Sequence, residues 1–298
     1  KTQLEYNIIV IDEVSMLPKS MVDMLLKHKV YVIFLGDPFQ LPQIDKKESH
    51  DLLDHPHVFL DQVMRQAAES EIIQLTMKIH NQEEINYMHG KDIIIIPKKE
   101  LVTGHLTWAD QIICATNALR ISLNNQMRQI LGYEGLPQTG EKMICLSNYW
   151  EDFSDNGDSV LVNGMTGIIS NPFETFRDAP RFIRMRDHRI PLIQTEFTSE
   201  DGCHYSQVDM DKTMIETGEP FLDWRESYAL GKQKYKIGDL IPRQFAYGYA
   251  ITCHKSQGSE WNKVLVIEES FPFDKTEHSR WLYTAATRAS SKLVLVKS

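Results

Sequence analysis

The chain has 298 residues, 42% of them hydrophobic, and a net charge of −9. That length accommodates two compact domains of roughly 150 residues each. The acidic balance excludes a protein that coats nucleic acid with cations, while leaving room for a narrow groove of amides, hydroxyls and a few cations. No apolar run approaches the ~20 residues that cross a bilayer, and the start lacks a leader pattern, so a cytoplasmic protein with no membrane partner is expected. A strand-like run follows Lys1 so closely that the chain is expected to be a fragment of a longer protein. Cys114, Cys145, Cys203 and Cys253 are far apart and show no CxxC or zinc spacing, which predicts reduced thiols. His50, His55 and His57 sit in a polar, Pro-containing stretch that reads as a surface loop and not as a metal site.

Taken in chain order, Ile8–Ile11 and residues 30–35 are short β-branched runs, expected as strands covered on both faces. Between them, 19–29 reads as a helix with Met21, Met24, Leu25 and Leu26 apolar, completing a βαβ unit. A helix over 69–81 places Ile72, Leu75 and Ile79 on one face. Residues 91–107 read as a connector, with Pro97 and Gly104 around the apolar run 93–96. A second α/β pattern follows: a strand at 111–115, a helix at 118–130 carrying Leu119, Leu123 and Met127, and strands at 264–267 and 293–296. Between these, 168–243 changes to short alternating stretches separated by Pro, Gly and acidic turns, the texture of a small antiparallel β unit.

The charged residues collect at strand ends, where parallel sheets place their ligands. Asp12 and Glu13 follow the first run, and Gly36 and Asp37 follow the second. Such a pair suits nucleotide hydrolysis, one carboxylate holding Mg²⁺ through water and the other orienting or deprotonating the attacking water. Gln40, on a turn punctuated by Pro38 and Pro42, offers an amide to a γ-phosphate oxygen or to that water. Arg65 follows Val63-Met64; taken singly it reads as a surface arginine. Phe245, Tyr247, Tyr249 and Ile251 alternate along a strand, as core residues would. The strand ends in Thr252-Cys253-His254-Lys255-Ser256-Gln257-Gly258, small and polar enough for backbone N–H groups to approach phosphates. A helix from about 279 carries Arg288 near its end, placed as an arginine finger would be.

The ordered words VIDEVSM, GDPFQLP, MRQ, AITCHKSQGSEW and LYTAATRA resemble motifs II to VI of superfamily-1 DNA helicases of the RecD/Dda/TraA type, which move 5′→3′ on single-stranded DNA. The resemblance runs nearly end to end. It implies ATP and Mg²⁺ as cofactors, with Asp12 and Glu13 as the Mg²⁺-binding and water-activating residues. It further implies Gln40 as γ-phosphate sensor, and Arg65 and Arg288 as charge-stabilising arginines. Asp37 and Gly258 belong to the nucleotide-binding words, and Glu260 would touch the nucleotide sugar. Asn117, Thr252, His254 and Lys255 would face single-stranded DNA or couple it to the nucleotide.

The implied fold is α/β, with two RecA-like parallel-sheet domains. A truncated first one occupies 1–90 with motifs II, III and IV, and a connector 91–107. The second comprises 108–167 and 244–298 with motifs V and VI, and 168–243 inserts into it as a small SH3-like β-barrel. VNGMTG (162–167) matches the point where such an insertion begins. Arg177, Arg181, Arg184, Arg186 and Arg189 of the insertion either face the strand or form a solvated surface.

Two departures stand out. No GxxxxGK[ST] loop occurs in the 298 residues, so that loop and the first DNA-contacting motif are expected before Lys1. Gln43 also replaces the second proline of the GDxxQLPP word. The leading expectation is part of an ATP-dependent DNA helicase, of which an exodeoxyribonuclease V α-type subunit working with other subunits of a recombination or replication complex is one form. A non-catalytic nucleic-acid-binding or protein-interaction module that keeps the helicase fold is the alternative.

Overall fold

Ile8–Ile11 and Tyr31–Phe34 pair in parallel, Ile9 opposite Val32, and the helix Lys19–Leu26 joins them, as their β-branched runs and the helical spacing predict. The computed structural model describes residues 6–28, 30–43, 45–60, 70–269 and 274–298; Arg65 lies outside them. The chain divides into two compact units, Lys1–Asn117 with Ile251–Ser298, and Ala118–Ala250.

In the first unit, the strand pair departs from expectation in one respect. Val10 and Tyr31 are 56% and 79% exposed, so one face of the two-stranded sheet is open and only the other is partly covered. A six-stranded sheet supplies the buried centre of this unit. Its order is Ala250–Thr252, Gln111–Cys114, Trp261–Ile267, Ala289–Lys297, Ile93–Pro97, Met88–His89. The middle four strands run parallel, and their aliphatic residues are buried on both sides, as continuous β-branched runs require.

Residues 91–107 are therefore not a connector. Ile93–Pro97 pairs with Ala289–Lys297, Ile94 opposite Val294, with Ile93, Ile95 and Ile96 buried, and Thr103–Trp108 forms a short helix. The Glu71 carboxylate fixes the entry to this strand by accepting from the backbone N–H groups of Asp92 (2.7 Å) and Ile93 (3.2 Å). Those N–H groups hold the Glu71 carboxyl below the usual range. Glu71 opens the helix Glu71–His80, which buries Ile72, Leu75 and Ile79 and packs against the helix Lys275–Ala286 and the strand Ala289–Lys297. Asp274 starts Lys275–Ala286 by accepting from the N–H groups of Thr276 and Glu277, one turn earlier than the sequence suggests.

The second unit is built on a five-stranded sheet, antiparallel throughout, in the order His204–Asp211, Arg189–Ser199, Thr166–Asp178, Lys142–Cys145, Phe245–Tyr247. The expected insertion limits, 168 and 243, cut through this sheet. Thr166–Asp178 begins before 168 and pairs with Lys142–Cys145, which in turn pairs with Phe245–Tyr247. Stretches expected in the second RecA-like domain thus share a core with the β-rich region. In that core Phe197 meets Phe245 edge-on at 5.3 Å, among Met143, Cys145, Ile169 and Met210.

Two glycines make the close approaches possible. A Cβ on Gly167 would stand 2.2 Å from the Thr198 carbonyl oxygen, and one on Gly248 2.9 Å from the Met143 backbone. At Gly248 the expected continuous strand 245–251 breaks into Phe245–Tyr247 and Ala250–Thr252, which lie in different sheets. A second cluster packs Ile190, Leu192, Leu222 and Leu230 under the helix Trp224–Ile237. Three of the five insertion arginines are committed internally. Arg177 pairs with Asp209, Arg186 with Glu226, and Arg189 lies over the Phe176 ring.

Candidate active site

The first strand ends at Ile11, and the backbone reverses at Glu13. Glu13 adopts φ 52°, ψ 43°, a left-handed conformation uncommon for a residue with a side chain and found disproportionately at functional sites. The turn is held by the Glu13 N–H donating to Asp12 Oδ1 (2.8 Å) and the Val14 N–H donating to the Leu35 carbonyl (2.9 Å). The ends of the two parallel strands are thereby locked side by side. Gly36 fits there because a Cβ would press within 3.0 Å of Val14 and 3.2 Å of Leu53.

Four buried polar atoms around this turn lack a hydrogen-bond partner: Glu13 Oε2, Ser15 Oγ, Gln40 Oε1 and His50 Nδ1. Ser15, Gln40 and His50 line one recess together with Asp37, Asp54 and Arg280. His50 Nε2 donates to the Val14 carbonyl at 3.0 Å, leaving Nδ1 as an acceptor. Each unmade bond costs about 1–3 kcal/mol. A cluster of such acceptors is the donor set that a water molecule or a hydrated divalent cation completes. Among the described residues no three His, Cys, Asp or Glu groups gather as a metal cage. Mg²⁺ is commonly held by one or two carboxylates, waters and substrate phosphates, and the adjacent Asp12 and Glu13 after the first strand are the residues that would hold it.

Asp37, expected as a nucleotide ligand, is engaged by protein groups. Its Oδ1 accepts from the Phe39 N–H (2.9 Å) and its Oδ2 from the Tyr283 hydroxyl (2.8 Å). Burial, with the Asp37 charge beside it, raises the Tyr283 phenol above its ordinary value. The loop continues through Gln40 to Leu41, whose two backbone groups are both bonded by side chains of distant motifs. The Leu41 N–H donates to Thr284 Oγ1 and its carbonyl accepts from Gln257 Nε2, each at 2.8 Å. The segment GDPFQLP is thereby tied to HKSQG and to LYTAATRA. Phe39 adds ring contacts to His80 (centroids 3.7 Å) and Tyr283 (6.2 Å).

Arg288 is buried, with 7% exposure, and its guanidinium donates to the Thr284 carbonyl, the Ser259 carbonyl and Thr287 Oγ1 at 3.1–3.2 Å. It follows the helix instead of lying near its end within it, and it is not among the residues lining the recess. The arginine that does line it is Arg280, eight positions earlier on the helix. Sequence reasoning missed Arg280 and Gln257; a helical projection back from Arg288, and the amide within HKSQG, were the signals that pointed to them.

On the far side of HKSQG, Thr252 precedes the short helix Cys253–Ser256. Burial lowers the His254 pKa, so the imidazole is neutral near pH 7 and acts as a hydrogen-bonding group and not as a cation. His254 and Lys255 are half-buried, Gly258 (φ 77°) and Glu260 exposed. Asn117 is exposed at the start of the helix Asn117–Leu131. The loop before it is held by Glu269, which accepts from the Ala115 N–H, the Thr116 N–H and the Thr116 hydroxyl at 2.7–2.9 Å.

Residues 2–94 match the family described as AAA domain, and residues 247–296 match the UvrD-like helicase C-terminal domain. The uncharacterized protein R530 of Acanthamoeba polyphaga mimivirus is 23% identical over 366 residues, covering 96% of this chain and 74% of that protein. Pif1 helicase from Candida albicans superposes with a TM-score of 0.55 at 17% identity, over 98% of this chain and 72% of that one. Pif1 helicase from Bacteroides, in complex with ADP-AlF3 and ssDNA, superposes with a TM-score of 0.53 at 17% identity, over 98% and 70% of the two chains. At these identities the solved structures speak for the fold, an α/β arrangement with RecA-like parallel sheets. In its ordered motifs, in these two family matches and in its fold the chain is similar to the superfamily-1 helicases.

Proposed function

We propose that this chain is the part of an ATP-dependent DNA helicase that carries motifs II to VI, coupling ATP hydrolysis to movement along single-stranded DNA. The observation that carries the reading is the double tie at Leu41, because it joins the turn bearing Gln40 to the two segments that follow in HKSQG and LYTAATRA. A change at the nucleotide would be felt at Gln40 and passed through Leu41 to Gln257, three residues from His254. In hydrolysis, Glu13 takes a proton from water as the water oxygen bonds to the γ-phosphorus. The bond from that phosphorus to the bridging oxygen breaks, and ADP and phosphate leave. Asp12, through water, would hold the Mg²⁺ that neutralises phosphate charge. Arg288, Arg280 and, by its motif, Arg65 would add positive charge as negative charge builds on the phosphoryl oxygens.

Thr252, His254, Lys255 and Asn117 would meet the strand, and Gly258 and Glu260 the nucleotide. The RecD/Dda/TraA wording of the motifs supports 5′→3′ movement, and the narrower form of the reading is an exodeoxyribonuclease V α-type subunit among partners in recombination or replication. The test is strand displacement by the product of the complete reading frame on duplexes with a 5′ or a 3′ single-stranded tail. Unwinding only from the 5′ tail, dependent on ATP and Mg²⁺, is expected; absence of ATP-dependent unwinding on both substrates contradicts the proposal.

A further inference from the structure

The helix Trp224–Ile237 begins with a full capping box. Asp223 accepts from the N–H groups of Arg225 and Glu226, and Glu226 returns a bond to the Asp223 N–H. Its inner side buries Leu230 and Glu226, and Lys234 is paired there with Glu151 and Asp239. The outer side is unusual. Trp224, Tyr228 and Tyr235 are 73%, 60% and 99% exposed, and with exposed Gly231 they fall at i, i+4, i+7 and i+11, a single stripe of the helix. Exposed Arg225, Lys232 and Lys236 flank it. The Arg225 guanidinium lies 5.3 Å from the Trp224 ring centre and the Lys232 amine 4.3 Å from that of Tyr228. Among the described residues the salt bridges of this helix are those of Glu226 and Lys234, and the neighbouring Asp223 is committed to the cap.

Large rings left in water are costly and ordinarily buried. An apolar protein partner would favour aliphatic residues among the rings; here the exposed positions between them are Arg225, Gly231 and Lys232. Rings with π-faces for bases, and cations spaced between them for phosphates, form the platform on which unpaired bases stack. Trp224 and Tyr228 are about 6 Å apart along the axis and Tyr228 and Tyr235 about 10 Å, at 1.5 Å per residue. An extended strand can match such steps, whereas paired bases keep their faces hidden. We infer that the outer face of Trp224–Ile237 is a stacking site for single-stranded nucleic acid, separate from the strand-facing residues at 252–255. The inference extends the nucleic-acid partner proposed above to a second surface.

The test is fluorescence anisotropy of a labelled dT20 oligonucleotide with the 298-residue chain, over a range of salt concentrations. The triple variant Trp224→Ala/Tyr228→Ala/Tyr235→Ala is expected to bind at least tenfold more weakly with an unchanged thermal unfolding curve, since all three side chains are exposed. The corresponding triple Phe variant should bind within threefold of the original, because stacking needs a ring and no hydroxyl. Lys232→Gln/Lys236→Gln should flatten the plot of log affinity against log salt by about 1.4, at roughly 0.7 per phosphate contact on a single strand. Should the triple Ala variant unfold, Tyr235→Ala alone, at a fully solvated position, is expected to weaken binding at least threefold.

Unaltered dT20 binding by the triple Ala variant, with binding lost in His254→Ala/Lys255→Ala, overturns this inference and leaves the proposed function standing. Absence of dT20 binding by the unaltered chain overturns it as well. A dimer in sedimentation that the triple Ala variant abolishes, without change in dT20 affinity, would assign the face to a second copy and likewise overturn it.

Discussion

Gln257 donates its side-chain amide to the carbonyl of Leu41 at 2.8 Å, across 216 positions of sequence. Gln257 is buried, so the bond is shielded from water. In Gln257→Ala the Leu41 carbonyl is left buried and unpaired, at a cost of about 1–3 kcal/mol. Thr284→Val removes the partner of the Leu41 N–H with a loss of similar size. Urea unfolding of both variants measures this; a change within about 0.5 kcal/mol, the range of neutral surface substitutions, would mean the tie does not form in solution.

The two arginines of the last helix separate by what they bond. Arg288→Ala orphans the Ser259 carbonyl and takes one of two donors from the Thr284 carbonyl, which keeps the Thr287 hydroxyl, as well as removing a charge, so stability falls by about 1–3 kcal/mol together with turnover. Arg280 lines the recess, and its guanidinium makes no hydrogen bond or salt bridge among the described residues, so Arg280→Ala should lower ATP turnover with little change in the unfolding midpoint. Paired ATPase and denaturation measurements distinguish the two patterns.

Gly90 and Gly104 give a steric contrast. A Cβ at Gly90 would stand 2.4 Å from Glu71 Oε2, the atom that receives the Asp92 and Ile93 N–H groups, while one at Gly104 meets nothing within 4 Å. Gly90→Ala should therefore destabilise by about 1–3 kcal/mol. Gly104→Ala, inside the helix Thr103–Trp108, should stabilise by about 0.4–1 kcal/mol. Thermal unfolding of the two single variants checks both signs.

Burial holds the His254 pKa below its ordinary value. The unfolded chain takes up a proton near pH 6.5 that the folded His254 refuses until lower pH. The stability linked to His254 is thus fully present above about pH 6.5 and is lost as pH falls towards the folded pKa. His254→Asn should flatten this part of the stability profile between pH 7 and 5. An unchanged slope in urea titrations over that range would mean that His254 titrates as it does in the unfolded chain.

How far the sequence is legible depends on whether a feature lives in side-chain type or in backbone meeting. Acidic residues after β-branched runs announced Asp12, Glu13 and Asp37, and periodicity announced the helix that buries Ile72, Leu75 and Ile79. The ties at Leu41 could not be read, because a main-chain N–H and carbonyl leave no mark on residue identity. The strand Ile93–Pro97 was written in four consecutive isoleucines, yet Pro97 and Gly104 beside it made it look like a link. The β-rich unit was mis-bounded because Lys142–Cys145 is covered at all four positions, which erases the alternation that marks an antiparallel strand. Arg288 drew attention through its motif, whereas Arg280 is an ordinary helix arginine until the fold brings it beside Gln40.

The missing GxxxxGK[ST] loop has its own consequence. Positioning supplies most of the catalysis in phosphoryl transfer, and the GxxxxGK[ST] pattern that cradles a triphosphate does not occur in these 298 residues. The isolated chain should turn over ATP well below about 1 s⁻¹, with or without a single strand, in a phosphate-release assay.

The central claim, that Glu13 activates the water attacking ATP and that a strand drives this through the tied loop, is met most directly by one comparison. ATP hydrolysis by the product of the complete reading frame is measured with and without single-stranded DNA, for the unaltered protein and for Glu13→Gln. The glutamine keeps the shape and a hydrogen-bonding oxygen but cannot accept the proton. The expected result is DNA-stimulated turnover in the unaltered protein and its loss by at least a hundredfold in Glu13→Gln, with nucleotide and DNA binding preserved. DNA-stimulated hydrolysis by Glu13→Gln at the unaltered rate would contradict the account.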